Sequence, residues 1–253
     1  MFFADRADHG PLQDGLAPEA RIIAAIGFVG VVAFTPPRWA AAFAVYTLVV
    51  VGAVGALGVS PTAILRRLTV LGPFLVLALL LPVIGTGDRM SVLGVALSVD
   101  GLWSGWGIAA KGTIGTVISA ALAGTTPTAR ILLGLQRLRV PALMITIAAL
   151  MIRYVGLIGD DMARMRTAMI MRGHDPRWIW QLRPLARSAG ASFVRSFERG
   201  ERVHAAMLAR GFTGSMPELG DRRAGWRDWF LASIGPMLAA AGLAIGWYVE
   251  AWS

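Results

Sequence analysis

The chain of 253 residues has no cysteine, so disulfides and thiolate metal sites are excluded. Histidine is nearly absent too. His9, His174 and His204 stand far apart, none has a second imidazole at ligand spacing, and they read as ordinary polar residues. Any metal handled in connection with this chain has to be bound elsewhere. No phosphate-binding glycine loop followed by lysine and Ser/Thr occurs, so the chain cannot hydrolyse ATP by itself. No catalytic constellation occurs either: His174-Asp175 is an isolated dipeptide. Charge is scarce, at 15% of residues against about a quarter in soluble proteins. Met1 to Ala20 lacks a basic, apolar leader. It carries Asp5, Asp8, Asp14 and Glu19 against Arg6, and reads as a cytoplasmic lead-in.

Apolar side chains make up 56% of the chain and the mean hydropathy is +0.62, which makes the bilayer the expected solvent. Lipid cannot satisfy backbone N–H and C=O groups, and the apolar runs are too long and unalternating for barrel strands, so the expected fold is an all-α membrane protein. The runs are Ile22 to Phe34, Trp39 to Val59, Thr69 to Ile84, Leu102 to Ala123, Val140 to Ile152 and Trp229 to Trp252. About five of them are expected to span. Pro36-Pro37 with Trp39 makes Ile22 to Val59 a helical hairpin whose tip is Thr35 to Arg38.

The run from Val140 to Ile152 is the exception. Its 13 residues give about 20 Å of helix against a hydrocarbon core of about 30 Å, and Arg153 closes it. Larger apolar residues recur from Leu143 through Ile147, Leu150, Tyr154 and Leu157 to Met162, Met165 and Met169, the spacing of an amphipathic helix. Between Thr125 and Asp228 there are 17 arginines against 8 acids, which accounts for the whole net charge of +9. The positive-inside rule places that region, with Arg66 and Arg67, in the cytoplasm, and the loop Gly85 to Gly101 outside. The expected divisions are a cytoplasmic lead-in (1–20), a four-helix transmembrane part (21–124), a cytoplasmic module of long helices (125–228) and a final transmembrane helix (229–253). Trp103, Trp106, Trp226, Trp229, Trp247, Tyr248 and Trp252 fit the interfacial belts of this layout.

Two segments in the basic region are alike: Met169-Ile170-Met171-Arg172-Gly173 and Met207-Leu208-Ala209-Arg210-Gly211. Each ends a predicted long helix, the second running from Pro184 to Arg210 with Phe193 and Phe197 one turn apart. One reading is a helix C-cap, with arginine at the negative end of the dipole and glycine left-handed after it. The other is a pair of docking points for an acidic partner, since the planar guanidinium fork suits carboxylates. Lys111 lies near the middle of the fourth span, where it either organises packing against a partner or is satisfied by carbonyls inside the bundle. Gly105, Gly107, Gly112 and Gly115 suit close helix packing. The stripe of Met144, Met151, Met162, Met165 and Met169 is either helix–helix core or a face able to pack against shifting surfaces.

From Leu102 to Phe212 the chain resembles the transmembrane coupling, or T, component of energy-coupling factor transporters. The resemblance rests on Met171-Arg172-Gly173 and Ala209-Arg210-Gly211, which parallel that family's two Ala-Arg-Gly motifs, the first departing at Met171. It rests also on Thr125-Thr126-Pro127, Leu138-Arg139-Val140-Pro141 and Arg153-Tyr154. Length and the acidic lead-in are most similar to the cobalt branch, the CbiQ family. The resemblance implies a non-catalytic subunit in a bacterial cytoplasmic (inner) membrane, with its amino terminus in the cytoplasm. It implies an ATPase subunit dimer that carries ATP and magnesium, a membrane-embedded substrate-capture subunit and a small accessory membrane subunit as partners, cobalt as cargo, and no nucleic acid. This chain would bind no cofactor. Arg172 and Arg210 would each dock in a groove of one ATPase subunit, and a basic residue at the position of Lys111 is usual. The same architecture could serve nickel or a vitamin. Rivals of another class are a membrane enzyme using His174, Asp175 and the arginines on an anionic lipid, and a secondary transporter, whose inverted repeats are not seen here.

Overall fold

A computed structural model of the chain describes residues 16–58, 61–85, 89–92, 95–173, 183–214 and 223–252. Among them are nine α-helices: α1 (Pro18–Phe34), α2 (Ala40–Ala56), α3 (Pro61–Leu68), α4 (Gly72–Ile84), α5 (Val99–Thr125), α6 (Thr128–Arg137), α7 (Ala142–Met171), α8 (Arg183–Ala209) and α9 (Trp226–Trp252). A single 3-10 turn, Thr69–Leu71, joins α3 to α4. The chain divides into two units, residues 1–134 with 221–253, and residues 135–220.

The first unit is built around the hairpin of α1 and α2. Pro18 sits in the first turn of α1, where its missing N–H is no loss, and Glu19 favours the same end. The helix stops before Pro36-Pro37 with Thr35 extended. Thr35 donates its hydroxyl hydrogen to the Val31 carbonyl (2.9 Å), so the 2.9 Å contact with Tyr46 is a hydrogen bond that Tyr46 donates to Thr35. Tyr46 and Phe43 are buried, and both Phe28 and Phe43 meet the Tyr46 ring edge-on at about 6 Å. Val32, Val50, Ile114 and Ala239 complete this core, which joins α1, α2, α5 and α9.

Contacts at the two ends of the unit fix the course of its helices. At one end the Ala224 N–H donates to Glu19 Oε1 (2.7 Å), and Arg67 Nη1 donates to the Ala120 carbonyl (2.7 Å). Leu16, Leu57, Thr125 and Leu231 surround an apolar pocket of about 310 Å³ there. At the opposite end Arg38 pairs with Asp100 at 2.9 Å, and Trp39 packs on Gly246. Five segments, namely α1, α2, α3 with α4, α5 and α9, therefore run from one end to the other. At α9 the Gly225 N–H is taken by Asp228 Oδ2 (2.8 Å), the backward half of a capping box.

Among the described residues, Ile64–Ile84, Val99–Thr125, Ala142–Met171 and Trp226–Tyr248 are long and apolar enough to cross a membrane. α1 and α2, with 17 residues each, lie at the short limit of spanning length. Phe34, Leu48 and Leu79 are exposed by 86%, 75% and 78%, a rim that water would not tolerate but acyl chains would. The chain is an all-α multi-pass membrane protein, with one small addition. A two-stranded antiparallel hairpin, β1 (Arg89–Val92) and β2 (Val95–Ser98), occupies the loop before α5, where the sequence predicts no regular structure.

One length argument is corrected. The 13-residue estimate for Val140 to Ile152 took Arg153 as an end, but α7 runs unbroken for 30 residues, with Tyr154, Val155, Leu157 and Ile158 beyond the arginine. Arg153 is the one charged residue between Ala142 and Gly159 and does not stop the helix, so length no longer argues against spanning.

Candidate partner-docking site

In the unit of residues 135–220, α7 and α8 form an antiparallel pair. Ser188 Oγ donates to Met169 Sδ (3.6 Å), Arg195 Nη2 to Met165 Sδ (3.0 Å) and Arg199 Nη2 to Asp161 Oδ2 (3.5 Å). Positions rise along α8 as they fall along α7. Asp161 also accepts from Arg164 at 2.6 Å, so one carboxylate holds two guanidinium groups at the helix–helix contact.

The antiparallel arrangement sends the two Arg-Gly ends to opposite ends of the pair. From Ser188, level with the end of α7, to Arg210 is 22 residues, roughly 33 Å of helix. Both ends close by the same backbone device. Gly173 and Gly211 are left-handed, at φ 78° and 81°. The Gly173 N–H donates to the Ile170 carbonyl (2.9 Å) and the Gly211 N–H to that of Leu208 (3.0 Å), while the Phe212 N–H reaches back to Met207 (3.0 Å). That is a Schellman closure, complete at the second motif.

The cap is thus made by the glycine backbone. Arg172 and Arg210 are exposed, and among the described residues neither guanidinium has a hydrogen-bond or ion-pair partner. Capping accounts for Gly173 and Gly211 and leaves both arginine side chains unused. Met171 and Ala209, which precede them, are exposed as well, Met171 by 83%.

The methionine stripe separates into two parts. Met162, Met165 and Met169 are half-buried, Met165 and Met169 in contact with α8, and form ordinary helix–helix core. Met144 and Met151 are exposed by 62% and 67%; Met151 lines, with Leu143, Ile147, Val203 and Met207, an apolar groove of about 600 Å³ between α7 and α8. Thr146 also lines it, with a buried hydroxyl that has no partner among the described residues. Sequence reading missed Thr146, since helical threonines normally bond back to a carbonyl one turn earlier, as Thr47, Thr113 and Thr167 do. Arg139, named above only within Leu138-Arg139-Val140-Pro141, is left-handed (φ 66°) at the end of α6, where glycine is usual, a turn the sequence did not signal. The Val140 N–H to Leu135 carbonyl bond (3.2 Å) gives this end the closure seen at Gly211.

In the first unit, Lys111 Nζ donates to the Ala33 carbonyl (2.8 Å). Ala33 lies in the last turn of α1, where helix carbonyls lack intrahelical donors, so the lysine satisfies one of them. Added Cβ atoms show which glycines are needed. At Gly105 one would collide with the Ala78 carbonyl, at Gly107 with Pro37, and at Gly112 it would lie 3.2 Å from Leu71 Cδ2. Gly115 differs: nothing lies within 4 Å, so close packing does not explain it. Gly101, which the sequence did not single out, meets the Leu81 carbonyl and lets α5 approach α4. His174 and Asp175 lie outside the described residues; among those described, no group of three or more His, Cys, Asp or Glu could hold a metal ion.

The profile of the CbiQ family, described as cobalt transport protein, matches residues 12–219. Over 104 residues the chain is 41% identical to the cobalt transport protein CbiQ of Rhodobacter capsulatus, covering 41% of this chain and 42% of that protein. Over 123 residues it is 30% identical to the nickel permease LarQ of Lactiplantibacillus plantarum, covering 49% and 44%. A putative fused cobalt transport protein CbiMQ of Methanocorpusculum labreanum is 30% identical over 109 residues, 40% of this chain and 18% of that one. The chain spans less than half the length of each of these curated relatives.

Proposed function

Because the chain belongs to the CbiQ family of cobalt transport proteins, we propose that it is the membrane-embedded coupling subunit of an ATP-driven transporter of the energy-coupling factor type, serving cobalt uptake. The observation that carries this reading is the pair of capped helix ends, each presenting an arginine with no partner among the described residues, at opposite ends of α7 and α8. Two fixed cations some tens of ångströms apart suit two separate acidic grooves, one on each subunit of an ATPase dimer. ATP and magnesium belong to those subunits. Their closure moves α7 and α8, and the groove lined by Met151 and Ile147 passes that motion to a substrate-capture subunit in the membrane, with a small accessory subunit alongside. Nickel is the second candidate cargo, favoured by the likeness to a nickel permease. In this reading α7 stays in the cytoplasm, the amino terminus is cytoplasmic, and the membrane is a bacterial inner membrane.

Substitution of the arginines tests the proposal. Truncating one side of a desolvated charge pair costs about 2 to 5 kcal/mol, so Arg172→Ala or Arg210→Ala should weaken copurification of the ATPase, and the double substitution should abolish it. Loss of a capping charge is worth only about 0.3 to 1 kcal/mol, so insertion and expression should survive. Lysine should rescue partly, keeping charge without the fork. Full copurification with the double variant would overturn docking.

A further inference from the structure

The five-helix unit has an open groove of about 470 Å³ on the side of α5 that faces α3 and α4. Its lining changes character along its length. At one end stand Arg67, Ser119 and Thr116; farther along lie Val70, Phe74 and the small residues Gly112 and Gly115 of α5. We propose that this groove binds an anionic phospholipid, with its phosphate held by Arg67 and Ser119 and one acyl chain laid along Gly115 and Gly112 against Phe74.

The polar end is already organised. Arg67 Nη1 is tied to the Ala120 carbonyl at 2.7 Å, which fixes the guanidinium over α5 and leaves its remaining N–H groups to donate. The hydroxyls of Ser119 and Thr116 have no hydrogen-bond partner among the described residues. Arg66 adds an exposed positive charge beside Arg67, and no carboxylate lines the groove. The charge complement is therefore an anion.

The remainder suits a hydrocarbon chain. A Cβ at Gly115 would meet nothing within 4 Å, so the floor of the groove is open there. Val70, exposed by 73%, and Phe74 form an apolar wall. From Ala120 to Ile108 the groove follows 12 residues of α5, about 18 Å, close to the half-thickness of a hydrocarbon core of about 30 Å. One acyl chain has that reach. Lys111 lies near the far end, but its ammonium is bonded to the Ala33 carbonyl and so is not left bare against the lipid. A bilayer surrounds this unit, so the ligand is always within reach. Assignment to the cytoplasmic leaflet rests on the orientation proposed above, whereas the binding test below does not depend on it.

The test is native mass spectrometry of the purified full chain, titrated with phosphatidylglycerol or with phosphatidylcholine of the same acyl chains. The unaltered protein should retain phosphatidylglycerol about fivefold better, the preference expected for one well-placed cation. Arg67→Gln should remove the preference. Because that change also breaks the Ala120 bond, Gly115→Leu serves as the second variant: it fills open space, should leave the melting temperature unchanged, and should lower retention of both lipids. Millimolar inorganic phosphate should not displace the lipid. Equal retention of the two lipids by the unaltered protein, preference unchanged in Arg67→Gln, retention unchanged in Gly115→Leu, or displacement by inorganic phosphate would each overturn the site. So would Gly115→Leu stripping a partner protein while lipid retention stays intact. The ATPase copurification set by Arg172 and Arg210 is a separate readout, so failure of the lipid site and failure of the coupling role are distinguishable.

Discussion

Single residues in this molecule divide by what their side chains already touch. Gly105 lies against the Ala78 carbonyl, while Gly115 faces open space, although both sit on α5 in the same glycine-rich run. Gly105→Val should therefore overpack the α4–α5 contact and cost about 1 to 3 kcal/mol or more, read as a lower melting temperature in detergent, whereas Gly115→Ala should leave it unchanged. Lys111 is similarly decided by its partner. Lys111→Leu makes α5 more apolar, so insertion should be preserved, but it leaves the Ala33 carbonyl unpaired; a loss of about 1 kcal/mol in thermal stability is expected. If stability is unchanged while capture-subunit association falls, Lys111 acts on the partner instead. These distinctions were invisible in the sequence because they depend on which atom of another helix stands opposite, as the unread importance of Gly101 also shows.

Among the elements, those whose ends are written in local chemistry were legible. Pro36-Pro37 marks the hairpin tip, and Arg172-Gly173 and Arg210-Gly211 mark the ends of α7 and α8 to within a residue. Five helical segments run end to end through the first unit where the five spanning runs are expected, but among the described residues four helices are long and apolar enough to cross, and α7 is one of them while α1 and α2 are not. The length of the apolar run was misjudged at a single charge: the run was ended at Arg153, although the recurrence through Met169 already carried the helix on, and α7 continues to Met171. The β1–β2 hairpin was missed because four-residue strands carry almost no periodic signal. The methionine stripe was legible as a face but not as two halves, since only the approach of α8 separates Met165 and Met169 from Met144 and Met151. Since α7 is apolar enough to cross a bilayer, its location is the sharpest question at this scale. The protein has no cysteine of its own, so single cysteines at Thr126 and Asp161 can be labelled from either side of the membrane. Both should react only from the cytoplasmic side. Labelling from opposite sides would mean that α7 spans, and the five-span layout would fall.

For the whole molecule, the charge distribution and the fold point the same way. One unit is a bundle of lipid-tolerant helices held by a small core around Tyr46, and the other is an arginine-rich helix pair whose end cations have no partner among the described residues, with an apolar groove between its helices. Neither unit holds a metal-binding cluster among its described residues. The coupling role proposed above requires partners. The most direct measurement is therefore its purification from native membranes under mild conditions, followed by identification of the proteins that accompany it and an assay of ATP-dependent cobalt uptake by the recovered complex. The account predicts an ATPase dimer and a membrane capture subunit in the same particle, with uptake that stops without ATP. Recovery of the chain alone, still moving its cargo or acting on a lipid without any ATPase, would contradict it.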